Sequence, residues 1–336
     1  MSSPVKSAKH PHAPAPQMGA PSGGGGISDR NPSILTLRTK AELVDYVEAL
    51  FHREGSADRL GVDADKLRGF IRKVSHHYRE NPYHNFHHAV DTVNTIGWMI
   101  SRPELQTRLP PHYRFLLLAT ALIHDIDHPG HNNQWEVQTQ STLAQRYENV
   151  AVLEKHSYAV TLRIMADPAY DLFLPFGKDT AEEWLHIMEA IVLATDFAAH
   201  RQFLDEFKAY LASHPRDFSD PEFLSWVARA LMKAADIANT SKPFPQAKVW
   251  GQRVMMEFWA QGVMEKQANL PVGPLNDPET VQLNAAQAGF IRFAAMELFE
   301  LLAQIDPGLQ EMVDNLRSNM DLYEDKARQG DSGLLE

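Results

Sequence analysis

Apolar residues recur along this chain with the period of a helix. Trp184, Ile187, Met188, Ile191, Val192 and Thr195 follow one another at steps of three and four, which lines them along one face at 3.6 residues per turn. The segment Phe115–Ile123 is apolar at every position but Thr120. It is about half as long as a bilayer span requires, so it reads as a buried helix. Alternating β-branched runs joined by hairpin turn pairs are missing, and the breakers Pro110-Pro111, Asp167-Pro168, His214-Pro215 and Asp220-Pro221 sit between the periodic stretches. The pattern predicts an all-α, compact multi-helix domain over residues 38–327, with a surface loop at Leu270–Glu279. Residues 1–37, rich in Gly, Pro and Ser and containing Gly23–Gly26, lack the apolar side chains that would offset the entropy of ordering, and predict a disordered tail. Residues 328–336 predict a frayed C-terminus.

Composition narrows the chemistry. The chain has no cysteine, which removes thiolate catalysis and Cys-held zinc, so a metal would have to be held by His, Asp, Glu and water. Its net charge of −11 repels nucleic-acid backbones and anionic membranes. An anionic substrate would then need bound cations to receive it. Ser2 and the terminal Gly-Leu-Leu-Glu match neither myristoylation nor prenylation, and the N-terminus lacks a signal pattern. A cytoplasmic location is the expectation.

Ten of the sixteen histidines fall between His76 and His156, several beside acidic residues. His84 and His88 are four apart, a spacing that would put both on one helical face. His124 and His128 repeat that spacing directly after the apolar run, with Asp125 between them. Helix capping by Asp125 or Asp127 is the alternative role for those acids. Asp236 ends an apolar stretch beginning at Trp226, where an unpaired carboxylate would be costly and a metal would relieve the cost. Two imidazoles and two carboxylates suit an ion such as zinc. The second oxygen of Asp125 could bridge to another cation of the magnesium or manganese kind.

Three motifs carry a resemblance: Tyr83-His84-Asn85-x-x-His88-Ala89, His124-Asp125-x-x-His128-x-Gly130-x-x-Asn133 and Ala235-Asp236-Ile237-Ala238-Asn239. In them the chain resembles the catalytic domain of the class I cyclic nucleotide phosphodiesterases, and weaker echoes extend the likeness from residue 78 to about 300. The resemblance implies hydrolysis of the 3′,5′-cyclic phosphodiester of cAMP, cGMP or both to the 5′-monophosphate. It implies Zn2+ on His88, His124, Asp125 and Asp236, and Mg2+ or Mn2+ on Asp125 with waters anchored by His128, Glu154 and Thr195. A metal-bridging hydroxide would attack, His84 would protonate the leaving oxygen, and Glu257 would orient its ring. Tyr83 and Asn239 would line the substrate site, Gln287 would bond the purine edge, and Val254 and Phe290 would clamp the ring.

The implied partner is a cyclic nucleotide, with no nucleic acid and no membrane insertion; a homodimer is compatible with this. The chain departs from the family pattern at Ser157, where a second His is usual, at Trp135 and at Val263. The choice between cAMP and cGMP stays open, with Asn239, Thr240, Phe244 and Ala247 as its expected determinants. Two other readings remain: a His-Asp phosphohydrolase acting on nucleoside mono- or triphosphates, and a catalytically silent cyclic-nucleotide-binding domain.

Overall fold

The computed structural model describes residues 34–331 and 333, apart from positions 38 and 55. Most of the expected disordered tail therefore lies outside the described residues. Its last positions do not behave as a solvated tail: Ile34 is buried in a short 3-10 turn, and His87 Nε2 donates to the carbonyl of Leu37.

The described residues fold into sixteen α-helices, and no strand occurs among them. Helices α1 (Lys40–Arg53), α2 (Ser56–Leu60) and α3 (Ala64–Ser75) lead in, the first closed by a Thr39–Glu42 capping box. Then come α4 (Phe86–Ile100), α5 (Pro103–Arg108) and α6 (Pro111–Ile123). The short α7 (Asn133–Gln138) and α8 (Thr142–Arg146) precede α9 (Val152–Met165), α10 (Lys178–Leu193) and α11 (His200–Ser213). The last third comprises α12 (Pro221–Asp236), α13 (Phe244–Gln267), α14 (Leu283–Phe290), α15 (Met296–Ala303) and α16 (Gln310–Arg328). A π-helical turn, Ile291–Ala295, joins α14 to α15.

The core is built on α4 packed against α6, with α1, α10 and α12 around them. The apolar run Phe115–Ile123 is wholly buried in α6, and α4 is buried on all sides except at His87, as expected of a central helix. The prolines act as the sequence predicts. Pro111 and Pro221 occupy first helical positions, where no backbone hydrogen bond is lost, and α11 stops at Ser213, two residues before Pro215. No helix among the described residues is long and apolar enough to cross a membrane.

Two segments differ from expectation. Leu270–Glu279 lacks helix, but it is anchored to the core: Asn276 is buried and donates to both carboxylate oxygens of Glu265, while the backbone N–H of Gly273 donates to Glu265 Oε2. This segment crosses α13 at Gly262, where a Cβ would lie 1.8 Å from the Asn276 carbonyl oxygen. The fraying expected from residue 328 does not extend to Asp331 and Gly333, because Asn284 and Gln252 on α14 and α13 donate to their carbonyls.

A buried ion pair links the central helix to the segment after α12. Lys242 Nζ lies 2.8 Å from Asp91 Oδ1, with side chains 1% and 5% exposed. Removing one partner of such a pair leaves the other charge desolvated and unpaired. Lys242→Met should therefore destabilise the fold by about 3–5 kcal/mol in urea unfolding, and adding Asp91→Leu should recover most of the loss. A cost below about 1 kcal/mol, the range of exposed pairs, would show that the pair is not structurally important.

Candidate active site

Three chain segments deliver the central side chains. Asn85 caps α4, its Oδ1 accepting from the backbone N–H groups of His87 and His88, which sets His88 in the first helical turn. His84 precedes the cap, so His84 and His88 do not share a helical face as their spacing suggests; they converge because the chain turns at Asn85. His124 is the C-cap of α6 rather than a residue within it. Beyond it Asp127 takes φ +63°, held by Arg79 Nε at 2.7 Å and His156 Nε2 at 2.8 Å. That left-handed turn, not a helix, carries the chain to His128. Asp236 is the last residue of α12.

These turns bring four donor atoms together. His88 Nε2 lies 3.0 Å from Asp236 Oδ1 and 3.4 Å from Asp125 Oδ2. His124 Nε2 lies 3.1 Å from Asp125 Oδ2, 3.3 Å from Asp236 Oδ1 and 3.2 Å from His88 Nε2. A tetrahedral shell with bonds near 2.0–2.1 Å separates neighbouring donors by about 3.3 Å, so the four residues fit a divalent cation. His124 Nδ1 donates to the carbonyl of Ala121 at 2.9 Å, which leaves the Nε2 lone pair for the site. Burial pulls both imidazoles down, but the Asp125 and Asp236 carboxylates outweigh it, and both pKa values are raised, His124 strongly. Burial pushes both carboxylates up; the two imidazoles outweigh that and hold Asp125 and Asp236 well below the usual range. The cluster thus retains positive charge between its carboxylates, as protons or as a metal.

Beside it stands a second constellation. Glu257 on α13 is buried; its Oε2 lies 2.6 Å from His84 Nδ1, and its Oε1 accepts from the backbone N–H groups of Tyr83 and His84. Burial lowers the His84 pKa, but Glu257 more than compensates and lifts it to about 9. Burial raises Glu257, and charged His84 overcomes this and brings it to about 2. His128 stacks on His84 with centroids 3.9 Å apart, and the N–H of Gly130 donates to its Nδ1. Burial first, then the positive charge of His84, pushes His128 down to about 3. Asn81 Nδ2 donates to the carbonyls of both His84 and His128 and locks the pair together.

Above the donors opens a cavity of about 470 Å³, within the size range of small-ligand sites. Tyr83, His84, Asp125, His128, Asp236 and Asn239 line one end. Glu154 and Thr195 line the side; burial and then Asp196 raise Glu154 to about 7, and Asn133 Nδ2 donates to its Oε2. Val254, Gln287 and Phe290 line the far wall. The Gln287 side chain packs over Gly251, where a Cβ would come within 3.0 Å of its Cδ, and its amide makes no hydrogen bond to another described residue. None of Ser157, Trp135 and Val263 lines this cavity; Ser157 Oγ donates to the carbonyl of Ile126, and Val263 is half exposed on the outer face of α13.

Some contributors escaped sequence reasoning. Lys233 is buried one turn before Asp236, and its ammonium donates to the carbonyl of Ala194 at 2.5 Å, beside Thr195. The aromatic wall also includes Phe197, stacked 5.6 Å from Phe290, and Phe258. Lys233 left a signal, a lysine within an apolar helical run; Phe197 left none.

Residues 83–316 match the model of the 3′5′-cyclic nucleotide phosphodiesterase family. The chain is 31% identical over 292 residues to the human high affinity cGMP-specific 3′,5′-cyclic phosphodiesterase 9A, covering 87% of this chain and 49% of that protein. It is 28% identical over 304 residues to the mouse 3′,5′-cyclic-AMP phosphodiesterase 4C, covering 87% and 44%. It is 26% identical over 287 residues to the cGMP-specific 3′,5′-cGMP phosphodiesterase 3 of Dictyostelium discoideum, covering 85% and 61%. The chain spans about half the length of these curated relatives. With a match that runs from the His84 motif to α16, the chain belongs to the 3′5′-cyclic nucleotide phosphodiesterase family.

Proposed function

We propose that this chain hydrolyses the 3′,5′-cyclic phosphodiester of cAMP, cGMP or both to the 5′-nucleoside monophosphate. The observation that carries the reading is the His84–Glu257 pair standing beside a four-donor cluster that could hold a metal, with His84, Glu257, Asp125 and Asp236 lining one cavity. His88, His124, Asp125 and Asp236 would hold Zn2+, and Asp125 with His128, Glu154 and Thr195 would serve Mg2+ or Mn2+ through water. Such cations lower the pKa of bound water and screen the charge of a phosphate.

The residues themselves do the rest. Water adds to phosphorus with loss of a proton, the P–O3′ bond breaks, the departing oxygen takes the proton of His84 Nε2, and the proton given up by the water restores the charged His84. An alkoxide leaves poorly unless protonated as the bond breaks. Glu257 fixes the ring through Nδ1 and keeps it charged. His128, stacked on His84 and neutral, presents no competing charge to it. Phe290 and Val254 would clamp the base, and the Gln287 amide, which hydrogen-bonds no other described residue, can turn its donor or its acceptor to a purine edge. That mobility favours acceptance of both bases. The Gln287–Phe290 wall also favours this reading over a hydrolase of linear nucleotides, which would release phosphate or triphosphate without ring opening.

His84→Ala should lower kcat about 10²–10⁴-fold while metal content, measured by plasma mass spectrometry, stays that of the wild type. An equal loss of bound metal would make His84 a ligand instead. In metal-free protein followed by NMR, His84 should titrate near 9, and Glu257→Gln should lower it, since burial is then opposed only by Asp125 and Asp236. Because the folded value is the raised one, the stability supplied by the pair is full below about pH 6.5 and disappears as pH rises through about 9. An unchanged His84 titration in Glu257→Gln would refute the pairing.

A further inference from the structure

The Gln287 side chain approaches the cavity from α14, and α14 runs directly into the π turn at Ile291–Ala295. A π turn shifts the register of a helix, so the direction in which Gln287 points depends on what grips α14 itself. Two buried amides, one on α14 and one on α13, tie these helices to the turn after α16. Asn284, one turn before Gln287 and fully buried, donates through Nδ2 to the carbonyl of Asp331 at 2.8 Å. Gln252, adjacent to the Gly251 on which the Gln287 side chain rests, donates through Nε2 to the carbonyl of Gly333 at 2.5 Å. The acceptor oxygens of both amides, Asn284 Oδ1 and Gln252 Oε1, are buried without a hydrogen-bond partner among the described residues. Leaving such an atom unpaired is costly. Simple packing would be served better by apolar side chains, whereas amides that spend their donors on one chain segment fix its position.

That segment is itself built to be held. Asp331 Oδ1 accepts from the N–H of Gly333, and Asp331 Oδ2 pairs with Lys326 Nζ at 2.9 Å. Gly333 has φ +75°, and a Cβ there would come within 2.9 Å of both Asn284 Oδ1 and Leu283 Cδ2. Only glycine fits this position. The same helix also supports the opposite wall of the cavity: Asn319 on α16 donates through Nδ2 to the carbonyls of Thr240 and Lys242, flanking the turn that carries Asn239.

We propose that α16 and the turn after it form a brace behind the base-binding wall, in which Asn284, Gln252 and Gly333 are positioning residues that set the direction of Gln287. The proposal rests on the cyclic-nucleotide reading above. None of the three residues lines the cavity, so their effect must pass through Gln287.

The test compares the 336-residue wild-type chain with Gly333→Val and Asn284→Leu, all metal-loaded, measuring kcat and KM for cAMP and for cGMP together with the thermal midpoint. The expected result is a KM raised about 3–10-fold, the worth of one misplaced hydrogen bond, with kcat within about twofold and both variants folded. KM values equal to wild type in folded variants would overturn the brace. So would a fall in kcat that tracks the loss of thermal stability at unchanged KM, which marks a merely structural role. Absence of turnover in the wild type would overturn the proposed function itself, and is distinguished by that control.

Discussion

Two imidazole nitrogens, each within 3.0–3.4 Å of the same two carboxylate oxygens, set the terms for the rest of the molecule. The two Nε2 atoms are neighbours at 3.2 Å and face the same two carboxylates. They can stay together only around shared positive charge, since uncompensated carboxylates at such depth would be expensive. The four donors come from three breaks in the fold: His88 from the cap at Asn85, His124 and Asp125 from the end of α6, and Asp236 from the end of α12. Helix ends serve this purpose because a turn can aim a side chain where a helical ladder cannot, and the packing of α4, α6 and α12 holds those ends in place. In a chain of net charge −11, the same concentration of cationic charge gives an anionic substrate somewhere to bind.

The neighbouring imidazoles His84 and His128 show how finely position controls protonation. Their rings stack at 3.9 Å, yet one is lifted to about 9 and the other pushed down to about 3. The difference is Glu257, which contacts His84 and not His128. Once His84 is charged, His128 cannot be, so the site holds a proton donor next to a neutral imidazole. Pairs of titratable groups driven apart in this way are a mark of acid–base chemistry.

Much of this was legible in the sequence, and the limits have physical causes. The helix α6 and most of α10 follow directly from apolar periodicity, and the prolines mark where helices begin and end. His84, His88, His124, His128, Asp125 and Asp236 could be nominated from residue type, spacing and apolar surroundings, and the resemblance selected His88, His124, Asp125 and Asp236 among them. Their geometry could not: spacing of four suggested helical faces, whereas a cap and a left-handed Asp127 deliver the residues. Partners far apart in sequence were invisible for the same reason. Nothing near Leu270–Glu279 announces that Glu265 will anchor it, nothing near Lys242 names Asp91, and nothing near residue 331 points to Asn284. Gln287, Phe290 and Val254, which line the cavity, were reached only by resemblance, because they look locally like ordinary helix residues.

The central claim is that one carboxylate, Asp125, serves two cations at once. The most direct test is the metal stoichiometry of Asp125→Ala and of wild type, each stripped with chelator, reloaded with Zn2+ and Mn2+, desalted and measured by plasma mass spectrometry, with circular dichroism to verify folding. The account predicts two ions per wild-type chain and loss of both from a folded Asp125→Ala. A folded variant that keeps two ions would contradict it.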